Sequence, residues 1–321
     1  MNGAMNFTYG FSHGVEWGWP IAVYLLLAGI SGGALIVALM VRYYKKQHED
    51  TPLLKAASLV SFVTIAFGMV FLVGDLEKPL YFWKILINYN FSSVMSIGVM
   101  AISIYIPLTL IMCLYLFEKE IRSYVPQSKV KIHDYFNLMM VILKKIRPFI
   151  EVLSVVFAII ICAYTGFLIS VLVRFPILNT AILPALFVVS GLSAGTASAS
   201  MVASWLFKED THSPDMKTLH TIEWPIMAVE IMLIAMLFVS LLVGNEFQKT
   251  TTVAFQSGML ANLFWVGVMG IGFGLPLFFN FALGKKIASL HVVFYISGMA
   301  SVVGVLCLRM FIIYAGQTFG V

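Results

Sequence analysis

Charged residues are scarce in this 321-residue chain. Only 11% of its residues are Asp, Glu, Lys or Arg, while 60% are hydrophobic, whereas an ordinary soluble domain has about 25% charged residues. A water-soluble fold could not bury so much apolar surface, so the composition excludes a soluble protein. The 20 Lys and Arg are spread between apolar runs rather than along one stripe, which argues against a nucleic-acid partner.

Metal-binding patterns are also missing. The three Cys lie within apolar runs and form no C-x-x-C pair and no iron–sulfur or zinc spacing. The six His lie in or near loops or helix ends, whereas membrane-embedded b-type haem needs facing pairs of axial His. We therefore expect neither haem nor an iron–sulfur cluster in this protein. Residues 1–18 contain no Lys or Arg, so no cleaved signal peptide is expected.

Eight apolar runs are long enough to cross a bilayer, because a spanning helix needs about 20 mostly apolar residues. Together they predict an all-α polytopic membrane protein with eight transmembrane helices. The runs cover residues 19–41, 56–74, 93–117, 149–173, 181–207, 222–244, 257–283 and 287–315.

Lys and Arg are unevenly divided between the loops that join these runs. If the runs alternate across the membrane, 15 lie on one side and four on the other, and Arg309 falls within the last run. Cytoplasmic loops collect Lys and Arg. The pattern therefore predicts that both termini are periplasmic and that the linker 119–148 is cytoplasmic.

A faint internal repeat links the first and fifth runs. GISGGA at 29–34 resembles GLSAGT at 191–196, and each follows a proline, Pro20 or Pro184. Four crossings separate the motifs, so the two helices are expected to run in the same direction. The motifs indicate either two parallel four-helix bundles, related by an axis along the membrane normal, or independent use of small residues for close helix packing.

The two-bundle interpretation divides the protein into four parts. These are 1–118 with helices one to three of the first bundle, the linker 119–148, helix four at 149–174, and the second bundle at 175–321.

Arg309 is the most costly residue to place in a bilayer, and such residues usually mark a functional site. Snorkelling to the surface could relieve part of the cost, and a carboxylate partner would relieve more. Asp75, at the outer end of helix two, is the best candidate for that partner. The pair could be purely structural, but it would still mark a polar cavity inside the protein.

Tyr24 and Tyr164 are predicted to lie in the outer half of the membrane. A tyrosine there can serve as an interfacial anchor, and Tyr24, one turn inside helix one, fits that role as well as a binding role. Tyr164 lies deeper in helix four, where a phenol needs a hydrogen-bond partner. A quinone carbonyl would serve.

Glu223 and Glu230 lie on the inner half of helix six, with His220 nearby. Their seven-residue spacing is two helical turns, so both carboxylates share one face. They could form a proton path from the cytoplasm. Alternatively, Glu223 belongs to a solvated helix start and Glu230 is a paired buried carboxylate.

Five motifs in order along the eight runs resemble the NrfD/polysulfide-reductase membrane-subunit family. The resemblance extends over most of the sequence. The motifs are YLLLAGISGG at 24–33, GDLEKPL at 74–80, AYTGFLIS at 163–170, PALFVVSGLSAG at 184–195 and RMFIIYAGQ at 309–317.

This resemblance implies two four-helix bundles without prosthetic groups. Members oxidise, or in some cases reduce, a quinone near the periplasmic face of the bacterial inner membrane. They pass electrons to a 4Fe-4S iron–sulfur subunit, which relays them to a periplasmic molybdopterin catalytic subunit. The resemblance therefore implies that this protein is the menaquinol-oxidising membrane anchor of a respiratory reductase. The members it resembles most belong to polysulfide reductases. The subunit alone would have no complete activity.

The family's quinone contacts map onto two residues of this sequence, Tyr24 at the start of helix one and Tyr164 in the Tyr-x-Gly motif of helix four. Ile21, one turn before Tyr24, offers no hydrogen bond where some members have another polar residue. Because hydroquinone oxidation also releases two protons, we assign Asp75 as the proton acceptor and Arg309 as its electrostatic partner.

Two other functions are compatible with the sequence. Parallel repeats and buried charges also occur in secondary transporters and ion channels. Within the family, the complex could instead use nitrite, tetrathionate or another acceptor, because the terminal substrate does not contact this subunit.

Overall fold

The structure is a computed structural model that describes residues 17–47, 49–76, 78–124, 130–172, 175, 177–281 and 291–318. Within these ranges it contains helices and no strands, and eight helices are long and apolar enough to span a membrane. The predicted fold class, an all-α polytopic protein with eight spans, is confirmed. The grouping into two four-helix bundles and the periplasmic location of the termini remain predictions.

We number the eight spanning helices α1 to α8 in order along the sequence. They are α1 (Trp19–Tyr44), α2 (Pro52–Gly74), α3 (Val94–Leu116), α4 (Val130–Ser170), α5 (Ile182–Leu206), α6 (Pro214–Val243), α7 (Gly258–Asn262, continued by Leu263–Gly274 and Leu275–Phe281) and α8 (His291–Thr318). Shorter helical segments in the connections are Pro79–Tyr81, Trp83–Ile87, Glu118–Tyr124, Glu246–Thr250 and Thr251–Phe255. Of the charges counted above, Lys129, Arg174, Lys285 and Lys286 lie outside the described residues.

Two helices begin earlier than their apolar runs indicate. α4 begins at Val130, inside the predicted linker, and its polar turns include Arg147, whose Nε donates to Glu151 at 2.7 Å. α6 begins at Pro214, where the Ser213 hydroxyl accepts a hydrogen bond from the Met216 amide at 3.3 Å. A serine cap followed by proline is a typical helix start. The apolar runs therefore mark only the apolar parts of these two helices, and the polar turns before them were not predicted as helix.

The middle of α7, Leu263–Gly274, is a π-helix. It holds four glycines, and one of them, Gly272, packs directly against α8, since a Cβ on Gly304 would lie 2.2 Å from the Gly272 Cα. Long π-helical stretches are rare and often occur at functional sites. Here the missing side chains let the backbone of α7 approach α8 closely.

α1 is the most deeply buried spanning helix: 89% of the residues in its apolar stretch are buried, compared with 28% in α6. It packs against α2, α4 and α5. Its contact with α5 joins the two small-residue motifs: a Cβ on Gly29 would lie 3.3 Å from the Gly191 Cα, and one on Gly195 would lie 2.3 Å from the Ala34 amide nitrogen. The contacts advance together along both helices, so α1 and α5 run in the same direction, as the sequence predicts. Small residues are thus required here for close packing, whatever the origin of the two motifs.

Ion pairs join three of the charged linkers at one end of the helices. We call this end, which bears the 45–51 loop, the inner face. Asp50 pairs with Arg42 at 3.2 Å and also with Arg147 of α4, and Lys45 pairs with Asp215 of α6 at 2.8 Å. The linkers before α2, α4 and α6 therefore share one face, in agreement with alternating spans.

The opposite end, the outer face, brings the beginning of α1 to the end of α8. The Trp17 amide donates to Gln317 Oε1 at 2.8 Å, and Gln317 Nε2 donates to the Trp17 carbonyl at 3.1 Å. Residues 17 and 317 thus lie together on the face opposite the ion pairs.

The contact between α1 and α5 predicts a strong effect of a single methyl group. A Cβ on Gly33 would lie 1.9 Å from the Gly191 carbonyl oxygen, with backbone atoms of Leu192 behind it. Because neither backbone can shift without moving a whole helix, Gly33→Ala should destabilise the protein by about 1–3 kcal/mol or more. Thermal unfolding of the detergent-purified protein measures this.

Gly74→Ala is the matched control, because nothing lies within 4 Å of its added Cβ. It should melt within a few degrees of the wild-type protein. Equal melting temperatures for Gly33→Ala and the wild type would contradict the packing described here.

Candidate functional site

Tyr24 lies within the first two turns of α1 and is fully buried. The Trp19 ring packs edge-on against Phe71 of α2 with 6.0 Å between centroids, and Gly68 leaves room for the Tyr24 ring, which would lie 3.5 Å from an added Cβ. The hydroxyl oxygen of Tyr24 has no hydrogen-bond partner. Burying an unpaired hydroxyl costs about 1–3 kcal/mol. A ligand that accepts or donates a hydrogen bond here would therefore be stabilised.

Tyr164 lies on α4 close to Tyr24, near enough for the two phenols to interact electrostatically. Its ring rests on Gly98 of α3, where an added Cβ would fall 1.7 Å from the Tyr164 Cζ. The Tyr164 hydroxyl donates to the Met95 carbonyl at 3.5 Å, which is a weak hydrogen bond. The two predicted contact tyrosines thus lie near enough to interact electrostatically, and each has hydrogen-bonding capacity to spare.

A cleft of about 300 Å³ opens at the outer end of α3, beside Tyr164. Met95 belongs to both, because its carbonyl accepts from Tyr164 and the residue also lines the cleft. Sequence reasoning missed this cleft, although Asn88 and Asn90, immediately before the third apolar run, were a possible signal. Its volume is at the lower limit of small-ligand pockets. The lining residues are Lys84, Ile85, Asn88, Asn90, Ser93, Met95 and Ser96.

Asp75 directly follows the last residue of α2, and its side chain is exposed at the outer face. Surrounding protein atoms exclude enough solvent to raise the pKa of the Asp75 carboxyl above its ordinary value. A raised pKa makes this carboxylate a better proton acceptor. Glu77, in the same motif, lies outside the described residues.

The predicted ion pair between Asp75 and Arg309 is wrong. Arg309 of α8 is fully buried and points toward α5, where its Nη2 donates to Ser190 Oγ at 2.7 Å and to the Phe187 carbonyl at 3.1 Å. Its guanidinium carbon also lies 3.5 Å from the centroid of the Phe187 ring. Arg309 is therefore held inside the helix assembly, whereas Asp75 is exposed at the end of α2.

Arg309 lies deeper in the membrane than the two tyrosines. Its Nη2 would be 3.6 Å from a Cβ on Gly29 of α1, and Gly29 is five residues beyond Tyr24. At 1.5 Å per residue, this is about 7.5 Å further along the helix. Its Nε and Nη1 atoms are buried without a hydrogen-bond partner, so the guanidinium still has donors to offer.

Glu230 of α6 supplies the negative charge that Arg309 requires. It is 1% exposed, and the two groups are close enough to interact electrostatically, although none of the direct ion pairs among the described residues joins them. Glu230 lies beside Ser193 and lines a cavity of about 10 Å³, room for about one water molecule. Its Oε2 atom has no hydrogen-bond partner.

A second polar cavity lies nearer the inner face than the cavity at Glu230. Its volume is about 60 Å³, enough for a few water molecules. Glu223 and His220 line it, with 3.2 Å between His220 Nδ1 and Glu223 Oε2. Ser193 and Ser301 line both this cavity and the one at Glu230. Glu223 and Glu230 thus share one face of α6, as their spacing predicts, but Glu223 lies inside the helix rather than at its start.

These features define a class of protein: a polytopic membrane protein with two adjoining buried phenols near one face and a buried Arg–Glu centre below them. Within the described residues, no three His, Cys, Asp or Glu side chains are grouped as metal ligands would be. The sequence matches the family described as "Polysulphide reductase, NrfD" over residues 9–321, and the protein belongs to that family.

The sequence is also similar, over most of its length, to individual proteins. The sequence is 39% identical to the C chain of polysulfide reductase from Wolinella succinogenes over 309 residues, which cover 95% of both proteins. It is 34% identical to "Protein NrfD" of Escherichia coli over 304 residues, 94% of this protein and 95% of that one. It is 23% identical to the C subunit of selenate reductase from Mesobacillus selenatarsenatis, over 92% of this protein and 72% of that one.

The electrostatic coupling of Arg309 to Glu230 predicts non-additive stabilities. Removing one charge leaves the other uncompensated, so Arg309→Met and Glu230→Gln should each destabilise the protein, with about 3–5 kcal/mol, the cost of breaking a direct buried ion pair, as the upper bound. The double variant should lose clearly less than the sum of the two, because both charges are gone. Melting of the purified variants gives the comparison.

Arg122→Met provides the control, since Arg122 pairs with Glu118 at 3.0 Å at an exposed position. That change should cost about 0–1 kcal/mol. Strictly additive losses for Arg309→Met and Glu230→Gln would show that the two buried groups do not interact.

Proposed function

We propose that this protein is the quinol-oxidising membrane subunit of a respiratory reductase complex in the bacterial inner membrane. Electrons pass from it to an iron–sulfur subunit and then to a periplasmic molybdopterin catalytic subunit. The observation that carries the proposal is the fully buried, unpartnered hydroxyl of Tyr24, near Tyr164. Membership of the NrfD family and the names of its relatives support it.

The two tyrosines suit a quinone head group. A quinone or hydroquinone carries two ring oxygens, and each requires a hydrogen-bond partner when it leaves water. Tyr24 has an unused hydroxyl, and the weak 3.5 Å bond from Tyr164 to Met95 exchanges at little cost for a ligand oxygen. The apolar isoprenoid tail remains in the lipid. Menaquinol is the substrate we propose.

Oxidation of a hydroquinone releases two electrons and two protons. In this proposal the electrons leave through the iron–sulfur subunit, and Asp75 accepts protons at the outer mouth of the site. Its exposure to the outer face lets it pass each proton on to water. Arg309 does not act through Asp75 but fixes a positive charge below the head group.

Glu223 and Glu230 form a separate proton path from the inner face in our proposal. The two carboxylates line connected cavities, and Glu230 lies near Arg309 about midway through the helices. If protons only left at the outer face and the acceptor were also reduced there, turnover would create no membrane potential. A path past Glu223 and Glu230 would make turnover electrogenic.

The polar cavities between α5, α6 and α8 are the observation that favours a transporter as the second candidate. Purification through a tag on this protein separates the two functions. A transporter would be recovered alone, whereas the proposed subunit should carry iron, molybdenum and two further polypeptides. The acceptor is proposed to be polysulfide because of the 39% identity to the polysulfide reductase protein of Wolinella succinogenes, and assays with polysulfide, tetrathionate, nitrite and selenate test that assignment.

Removal of either phenol hydroxyl should weaken quinol binding. In the purified complex, Tyr24→Phe and Tyr164→Phe should each raise the KM for a water-soluble menaquinol analogue by about fivefold to tenfold, which corresponds to about 1–1.5 kcal/mol per hydrogen bond. Steady-state quinol oxidation measures the change.

Tyr44→Phe is the matched control because Tyr44, at the inner end of α1, is 82% exposed. Its KM should equal that of the wild type. Unchanged KM in both Tyr24→Phe and Tyr164→Phe would remove the two tyrosines from the site.

Asp75→Asn keeps the shape of the side chain but abolishes its ability to accept a proton. The rate of quinol oxidation should fall about 100-fold, the low end of the effect of a positioned acid or base, while binding of a hydroxyquinoline N-oxide quinol analogue stays unchanged. A fully active, normally assembled Asp75→Asn complex would end the assignment of Asp75 as proton acceptor.

A further inference from the structure

Ser31 and Ser193 hold the same position in the two small-residue motifs, GISGGA at 29–34 and GLSAGT at 191–196. These motifs face each other across the contact between α1 and α5. The two serines would therefore be expected to have similar surroundings. Their surroundings differ in a way that bears on proton movement.

Ser31 belongs to a closed group of hydroxyls. It donates to the Ser61 carbonyl at 2.7 Å, and its Oγ lies 3.0 Å from Ser61 Oγ and 3.2 Å from the Tyr105 hydroxyl. Ser61 and Tyr105 are joined at 2.9 Å. All three residues are fully buried. The three hydroxyls satisfy one another and a backbone carbonyl, and the group contains no carboxylic acid.

Ser193 instead lies between two cavities and beside a carboxylate. With Ser301 of α8 it lines both the inner cavity at Glu223 and the small cavity at Glu230. The Oε2 atom of Glu230 has no hydrogen-bond partner and is buried. An acceptor without a donor, next to a cavity with room for about one water, is a place where a proton can arrive.

We infer that the two motifs have different roles: the Ser193 copy, with Ser301, relays protons from the inner cavity to Glu230, and the Ser31 copy is a sealed packing contact. This inference rests on the proton path of the proposed function and adds the two serines to it as positioning residues. In this inference the two hydroxyls hold water molecules in place between Glu223 and Glu230.

The relay balances in protons. Water in the inner cavity, near Glu223, takes up a proton from the inner compartment and gives one to a serine hydroxyl, which releases its own proton toward Oε2 of Glu230. The water and the serine return to their original states, so no bond to carbon forms or breaks and no electron moves. Glu230 then releases the proton toward the outer face, and the nearby positive charge of Arg309 favours this release because it stabilises the ionised carboxylate.

The test uses the complete complex in liposomes, with a menaquinol analogue as donor and ferricyanide as electron acceptor. Proton uptake from the compartment at the inner face is followed with a pH-sensitive dye. Ser193→Ala combined with Ser301→Ala should slow proton uptake about 100-fold, as for the loss of a positioned proton-transfer group. Ser193→Thr, which keeps the hydroxyl, should retain it.

Ser31→Ala is the matched control, since it changes the same motif position on the facing helix. It should leave proton uptake within about twofold of the wild type, because the Ser31 group contains no carboxylate to receive a proton and its members line neither inner cavity. Binding of the hydroxyquinoline N-oxide analogue should be unchanged in every variant, which shows that the protein is folded and the outer site intact. Uptake slowed equally by Ser31→Ala and Ser193→Ala would overturn the inferred difference between the motifs.

Glu230→Gln separates this inference from the function on which it rests. If Glu230→Gln abolishes uptake and the double serine variant does not, the serine relay is refuted while the proton path stands. If Glu230→Gln has wild-type uptake, both the path and the relay are refuted. Neither result would affect the assignment of Tyr24 and Tyr164 to quinol binding.

Discussion

The direct backbone contact between α1 and α5 is the constraint on which the rest of the structure depends. Gly29 and Gly33 of α1 lie against Gly191 and Gly195 of α5 without intervening side chains. In a bilayer, where lipid is as apolar as leucine, close packing of this kind replaces the hydrophobic effect as the cause of helix association. The contact holds α1 in the centre of the protein. The polar groups of the proposed mechanism lie at different depths along this helix.

Depth along α1 separates the two kinds of chemistry. Tyr24 lies near the outer end, at the quinol site that we propose it forms with Tyr164. Gly29, further in, lies close to Arg309, which interacts electrostatically with Glu230. In the proposed mechanism, this positive charge favours release of the proton that Glu230 receives from the inner face.

The Arg309 interaction shows why pairing was the least predictable part of the site. Both Asp75 and Glu230 are carboxylates of the same protein, and hydropathy placed Asp75 in the same outer half as Arg309. Which acid faces the guanidinium depends on the rotation of α6 and α8 about their axes. That rotation is set by packing, including the π-helical stretch of α7 against Gly304, and no apolar period records it. The outer cleft at Asn88 and Asn90 was missed for a similar reason, because it forms between a short connecting segment and α3.

The sequence by itself determined the eight spans, the family, the parallel direction of the helices that carry the two small-residue motifs, and the identity of the candidate buried ionisable residues. Each of these depends on local composition or on spacing along one helix, and the cost of polar groups in a bilayer makes such signals strong. Tertiary structure alone decided that Arg309 lies near Glu230 rather than Asp75, that Asp75 is exposed, and that Ser193 and Ser31 differ in surroundings. These are relations between side chains on separate helices, and they are settled by how the helices rotate and pack against one another.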